Sequence, residues 1–327
     1  KLKNLRRKLI AFTVSLPMTV GLLGLTSAPA TAQEQPLKII VPYSAGGSGD
    51  AIARMLTDGM REHLGRMVIV ENRPGANGRI ALNALKSAPS DGSTVLLAFN
   101  GVMLNFITFQ GPKDLVFKDE FVGLAQVGRV PAALALPPQH KANNVNEFIA
   151  MRKQAGDFTY GNNGQGSMTH LAGLRFAAAT NLKANPIGYQ GGAPMANDIM
   201  GGQIDAGIDT AGDFVERNKG KKIKVIGVFG NKRFHLLPDV PTMAEQGVEN
   251  VEAEIWLGFL ASNKVSDAFS KRFQDAVKKT LEIPSIKEKA SNILELDYLA
   301  KEDFSKVISK DFETWTPLVT AAGLVNK

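Results

Sequence analysis

Short apolar runs alternate with amphipathic helical stretches along nearly the whole chain beyond residue 33, and this alternation restricts it to an α/β fold built on a largely parallel sheet. The runs that read as strands cover residues 38–41, 67–71, 94–99, 132–136, 158–160, 184–189, 206–209, 224–229 and 255–260. Helical periodicity covers 50–64, 78–87, 145–154, 167–179, 194–201 and 267–281, and the last third reads as mainly helical. Without its first 32 residues the chain has about 295, more than one compact core usually organises, so two domains are expected. The chain is expected to leave the first domain near residues 134–138, where Pro137 and Pro138 stiffen an extended connection, and to return near 254–260. That divides it into residues 33–135 plus 255–327 as one domain and 136–254 as the other, with a hinge where the chain crosses twice.

The first 32 residues read as an export signal rather than as fold. Lys1, Lys3, Arg6, Arg7 and Lys8 form a basic start, residues 9–25 are apolar, and Ala30-Thr31-Ala32 gives a small-x-small cleavage pattern. Pro17 and the prompt small-residue site favour cleavage after Ala32 over a membrane anchor, so an exported mature protein is expected. The signal also explains the charge. Of 38 basic and 31 acidic residues, five basic and no acidic ones lie in it, which leaves 33 against 31. Nucleic-acid binding thereby loses its electrostatic premise. With no cysteine there is neither a disulfide framework nor a thiol nucleophile.

Two glycine-rich loops carry the chemistry. Pro42-Tyr43-Ser44-Ala45-Gly46-Gly47-Ser48-Gly49-Asp50 and Tyr160-Gly161-Asn162-Asn163-Gly164-Gln165-Gly166-Ser167 each follow a strand-like run and open a helix. Each therefore places backbone N–H groups at a helix start, an anion site, with Ser48 and Ser167 as the expected N-caps. Neither loop matches a nucleotide signature or offers a lysine or arginine to neutralise a polyphosphate. A small carboxylate gripped from both sides is the natural ligand. A third loop, Tyr189-Gln190-Gly191-Gly192-Ala193-Pro194, puts Pro194 in the first turn of another helix, with Asp198 about one turn on. Asp198 could meet a ligand or be a solvated acid, and Asp209, at a strand end, reads rather as a solvated surface acid. Gly164-Gln165-Gly166-Ser167-Met168 is not a nucleophile elbow, so His170 reads as a structural histidine. His63, His140 and His235 lack metal-ligand spacing, and neither a metal nor a cofactor is expected.

At this point the chain resembles the periplasmic receptors of tripartite tricarboxylate transporters, the Bug proteins. The resemblance runs in order through Ile40-Val41-Pro42-Tyr43 with Gly46-Gly47 and Asp50, then Val70-Glu71-Asn72-Arg73-Pro74-Gly75-Ala76, then Tyr160-Gly161 with Gly166-Ser167 and His170-Leu171-Ala172. It continues through Tyr189-Gln190-Gly191-Gly192-Ala193-Pro194, Gly201-Gly202-Gln203-Ile204-Asp205, Leu237-Pro238-Asp239-Val240-Pro241-Thr242-Met243-Ala244-Glu245 and Trp256-Leu257-Gly258. It implies an α/β two-domain periplasmic binding protein, type II-like, with a ligand cleft between the domains. The loops carrying Tyr43, Ser44 and Ser48, and Gly161, Asn162, Gly166 and Ser167, would hold one carboxylate through amides, hydroxyls and waters. Asn100, Tyr189, Gly192, Ala193 and Asp198 would meet the ligand's far end. Asn72–Gly75 reads as a turn and 237–245 as a helix entry, both away from the ligand. The chain departs from the pattern at 106–121, where no tyrosine-aspartate-proline element is recognisable, and at Gly173, where a larger polar residue is common.

The expected function is a non-enzymatic receptor, acting as a monomer, that captures a small organic carboxylate and hands it to the membrane subunits of a tripartite tricarboxylate-type transporter. The rival readings are an exported α/β enzyme using His170, Asp198 or Asp209 as acid–base groups, and a sensing protein that presents its ligand to a sensor kinase.

Overall fold

The computed structural model describes residues 34–110, 114–189 and 191–325. The export-signal reading of residues 1–32 falls outside the described residues. Ten strands are assigned among them: β1 (Leu37–Val41), β2 (Val68–Asn72), β3 (Thr94–Phe99), β4 (Phe121–Leu136), β5 (Phe158–Asn162), β6 (Ala184–Gly188), β7 (Ala206–Thr210), β8 (Lys224–Val228), β9 (Glu254–Ser262) and β10 (Glu295–Ala300). The helices are α1 (Ser48–Leu64), α2 (Arg79–Lys86), α3 (Gly101–Gln110), α4 (Asp114–Glu120), α5 (Val145–Ala155), α6 (Met168–Thr180), α7 (Gly192–Met200), α8 (Ala211–Lys219), α9 (Asp267–Glu282), α10 (Pro284–Ser291) and α11 (Lys301–Ala321).

Two sheets share β4. In the first the order is β2-β1-β3-β9-β4-β10, with β2, β1 and β3 parallel and β9 antiparallel to both β3 and β4. In the second it is β8-β4-β7-β5-β6, with β7, β5 and β6 parallel and β4 antiparallel to β7 and β8. β4 can serve both because nearly every side chain on it is buried, as a strand covered on both faces requires. It pairs with β9 as far as Pro131 and with β7 from Ala132. The pairing of β4 therefore passes from one sheet to the other at residues 131–132. The expected 132–136 run is only the last third of this strand; Gly123, Gln126, Gly128, Arg129 and Pro131 disguise the rest.

Helix α11 buries Phe304, Ile308, Phe312, Trp315 and Val319, a stripe at helical period. Phe312 closes an aromatic cluster with Phe117, which also stacks on Phe106 and Phe121. The 106–121 segment that departs from the family pattern is thus partly core. Further along, the Arg175 guanidinium of α6 lies 5.3 Å over the Trp315 ring, tying a helix of the second sheet to α11. The 237–245 segment does not enter a full helix: it leads to a 3₁₀ turn, Ala244–Gln246, where Thr242 and Glu245 bond each other's backbone N–H groups. No helix among the described residues is long and apolar enough to cross a membrane.

Candidate functional site

Register decides where the loops meet. The C-terminal end of β3, Phe99, pairs with Leu257 of β9, which in turn pairs with Gly128 of β4. The C-terminal end of β7, Thr210, pairs with Ala132 of the same strand. Gly128 and Ala132 are four residues apart, roughly 13 Å along a strand. The loops that leave the parallel strands of both sheets therefore converge on one stretch of β4, the crevice position favoured by α/β sheets.

The first loop is braced by charge. Gly47, not Ser48, is the N-cap of α1, and it provides no side-chain cap. Ser48 is instead the first helical residue, and the Asp50 carboxylate reaches back to the loop, accepting the Gly46 N–H at 2.9 Å. Asp50 is buried and also accepts Arg54 Nε at 3.1 Å and Asn72 Nδ2 at 2.9 Å. Asn72 Nδ2 donates as well to the Tyr43 carbonyl, and Arg54 Nη2 donates to Asn72 Oδ1. Burial alone would raise the Asp50 pKa, but the donors from Arg54, Gly46 and Asn72 outweigh it and hold the carboxyl below its ordinary value. Asn72 is therefore a brace of this loop rather than part of a detached turn. The Tyr43 hydroxyl accepts the Phe99 N–H, and burial raises its pKa well above the usual phenol value. Ser44 is exposed and Ser48 half-buried. Among the described residues no acceptor meets the N–H groups of Ser48 and Gly49.

Neutral groups brace the second loop. Ser167 is the N-cap of α6, and its hydroxyl accepts the His170 N–H at 3.1 Å. His170 Nδ1 accepts the Gly166 N–H at 3.0 Å, and burial lowers the imidazole's pKa, which keeps it neutral and suited to that acceptor role. Its structural reading fits these contacts. The Gly166 amide is consequently engaged inside the loop. Gly161 is buried, Thr169 Oγ1 takes the Asn163 N–H, and Asn162 Oδ1 takes the Gly164 N–H. No acceptor meets the N–H groups of Met168 and Thr169 among the described residues, and Asn162 Nδ2, buried, has no partner. Gly173 is explained by Tyr160. A Cβ there would come within 2.2 Å of the tyrosine ring, whose hydroxyl donates to the His170 carbonyl.

The third loop joins the second. Tyr189 donates its N–H to the Asn162 carbonyl and its hydroxyl to Asp198 at 2.7 Å, which occupies that acid and raises the tyrosine's pKa together with burial. Gly192 starts α7 half-buried and Ala193 is exposed. Beneath them lies Asp209, which is fully buried and so not the solvated acid expected. Its place explains the difference: β7 lies between β4 and β5, and α7 covers its end. Sequence pattern alone could not show this.

Asn100 is also fully buried. Its side chain donates to the Glu254 carbonyl and to Asp311 Oδ2, and its N–H bonds the Trp256 carbonyl. Trp256 Nε1 donates to the same Asp311 oxygen at 2.8 Å, and burial pushes Asp311 up to about 6. Asn100 thus lies where β9 re-enters the first sheet, tied to α11. Among the described residues, no hydrogen bond joins the 43–50 loop to the 161–167 loop, and no cluster of three or more residues could hold a metal ion.

Comparison with known proteins gives the family and the fold. The model of the tripartite tricarboxylate transporter family receptor matches residues 52–324. Protein BugT of Bordetella pertussis is 31% identical over 246 residues, covering 74% of this chain and 75% of its own. The periplasmic binding protein BugD superposes with a TM-score of 0.78 at 28% identity, covering 90% of this chain and 99% of its own. An R. palustris protein solved with adipate has the same fold, with a TM-score of 0.78 at 24% identity over 89% of this chain and 98% of its own. The chain belongs to the tripartite tricarboxylate transporter receptor family, and is a solute-binding receptor of periplasmic type rather than an enzyme.

Proposed function

We propose that this receptor binds a small organic carboxylate where the loops of the two sheets converge on residues 128–132 of β4, and delivers it to the membrane subunits of a tripartite tricarboxylate-type transporter. Tyr43, Ser44 and Ser48 on one side and Asn162 and Ser167 on the other take the near carboxylate, while Gly161, buried, and Gly166, its N–H held by His170, shape the second loop around it. Tyr189, Gly192, Ala193, Asp198 and Asn100 shape the far end, Asn100 acting through its neighbours because it is buried. The observation that carries this reading is the pair of helix starts, at α1 and α6, whose first N–H groups face no acceptor among the described residues while no lysine or arginine of either loop stands ready for phosphate. Residues 33–135 plus 255–327 and 136–254 move as two bodies about β4 and β9, and the closed form is what the transporter recognises. The protein works as a monomer in the periplasm after cleavage following Ala32.

The test is thermal shift against adipate, malate, citrate, neutral sugars and nucleotides, followed by calorimetry. Carboxylates are expected to stabilise; at one hundred times Kd the gain is about 2.7 kcal/mol. Ser48→Ala and Ser167→Ala should each weaken binding by roughly 1.5–3 kcal/mol, and less than additively when combined. Stabilisation by sugars alone, or two serine variants that bind like the parent, would refute the reading.

A further inference from the structure

The two carboxyl oxygens of Asp209 have unlike surroundings. Oδ1 lies 2.6 Å from the Asn163 side-chain amide and accepts the Thr210 N–H at 2.8 Å. Oδ2 meets no donor among the described residues. Against it stands Gly192, where a Cβ would come within 2.4 Å, so only glycine lets α7 start directly above this oxygen. A fully buried ionised oxygen without a donor is among the least tolerable arrangements in a protein, whereas the carbonyl oxygen of a neutral acid is tolerated. The far amide atom of Asn163, assigned as Oδ1, is buried and unpartnered too. Its contact with Asp209 is short for N–H···O, typically about 2.9 Å, and ordinary for O–H···O, typically about 2.7 Å. The two ends of an amide exchange places without changing this geometry.

Resting on the carboxylate-receptor reading, we propose that Asp209 is a positioning residue: it donates a proton from Oδ1 to the Asn163 carbonyl oxygen, so that Asn163 turns its NH₂ group toward the anion held by the 161–167 loop. Loss of that proton reverses the amide, presents its oxygen to the anion and weakens binding. Of the charged groups around Asp209, Asp213 favours the protonated form and Arg217 opposes it. On α8 stand Asp213 and Arg217; Asp213 is buried and bonded by the Thr210 hydroxyl. On α6, His170 is held neutral, and on α7, Asp198 is occupied by Tyr189. β4 opposes it with Ala133, and β5 carries no charged side chain. Burial first, then the Asp213 charge, push Asp209 up to about 8, so the proton remains at neutral pH.

Carbon-13 and nitrogen-15 NMR of the ligand-free receptor tests the coupling. One aspartate carboxyl should titrate near pH 8 and be missing in Asp209→Asn. The Asn163 side-chain NH₂ signals, identified by their loss in Asn163→Ser, should move with the same midpoint. Calorimetry with adipate, malate and citrate at about pH 6.5 and about pH 9.5 should show roughly tenfold or more weakening in the wild type. Asp209→Asn, which has no proton to lose, should show no such drop. An Asp209 that titrates in the ordinary carboxylate range, Asn163 signals indifferent to it, or a wild-type affinity flat with pH would overturn the proposal. If no probe binds at either pH, the carboxylate reading fails and the anion-binding half falls with it, while the spectra still decide the proton-coupled amide. Should Asp209→Asn fail to fold, the wild-type and Asn163→Ser titrations decide alone.

Discussion

The 43–50 and 161–167 loops are the same device built from different chemistry. Both follow a parallel strand and open a helix whose first two N–H groups have no acceptor among the described residues. The first is stiffened by an ionised carboxylate, Asp50, that gathers the Gly46 N–H, Arg54 and Asn72. The second is stiffened by uncharged groups: the Ser167 hydroxyl, the His170 imidazole, Thr169 and Asn162. An anion site can thus be preorganised by a negative charge set below it only where that charge is fully matched, since otherwise it would repel the ligand. Where no matching cation is present, as in the second loop, neutral acceptors must do the holding.

This contrast makes the largest expected effect fall on Asp50. Asp50→Ala removes the acceptor for three donors at once, leaving the Gly46 N–H without its partner and the Asn72 amide with only the Tyr43 carbonyl. The loss of stability should be roughly 3 kcal/mol, held to that by the exposure of Arg54, which lets it recover water. Urea unfolding measures it. A loss below about 1 kcal/mol would mean that the charged brace contributes no more than an ordinary cap.

The serines give the next contrast. Ser167→Ala removes a side-chain cap and should cost about 1 kcal/mol of stability, whereas Ser48→Ala removes none and should stay within about 0.5 kcal/mol. Both are nonetheless expected to weaken ligand binding. Equal stability losses for the two variants would show that Ser48 caps its helix in solution after all.

What the sequence displayed and what it hid follow from distance along the chain. Ser167 and His170 were legible because a cap and its N–H partner lie three residues apart, inside the motif itself. Ser48 was misread because Asp50, two residues on, is the side chain that reaches back to the loop, held there by Asn72 and Arg54. Asn72 looked like the start of a turn; its role lies in a bond to the Tyr43 carbonyl 29 residues earlier. Asn100 is fixed by Asp311, 211 residues away. Asp209 could not be recognised as buried until β7 was known to lie between β4 and β5 under Gly192. The strand β10 escaped because its alternation, Leu296 and Tyr298 between Glu295 and Asp297, is too short to stand out between two helices, and every residue on it is half-exposed.

The smallest expected effect is the most discriminating, because acid should undo the two braces in a fixed order. His170 has its pKa lowered by burial, so the folded state binds its proton less readily than the unfolded chain. Its stabilising contribution is therefore complete above about pH 6.5 and is lost as pH falls from there toward the folded value. Asp50 also has a lowered pKa, but as a carboxylate its contribution is complete above about pH 4 and fades only below that. Between about pH 6 and pH 4, then, the second loop should loosen while the first holds. Hydrogen exchange at the amides of Gly166 and Gly46, corrected for intrinsic rates, reads the two separately, since each is bonded by the group in question. Protection at Gly166 should decline in that window and at Gly46 stay level; His170→Asn, whose amide oxygen offers an acceptor that does not titrate, should remove the decline. If both amides lose protection together, the loops open as one unit and the distinction between a charged and a neutral brace does not govern their dynamics.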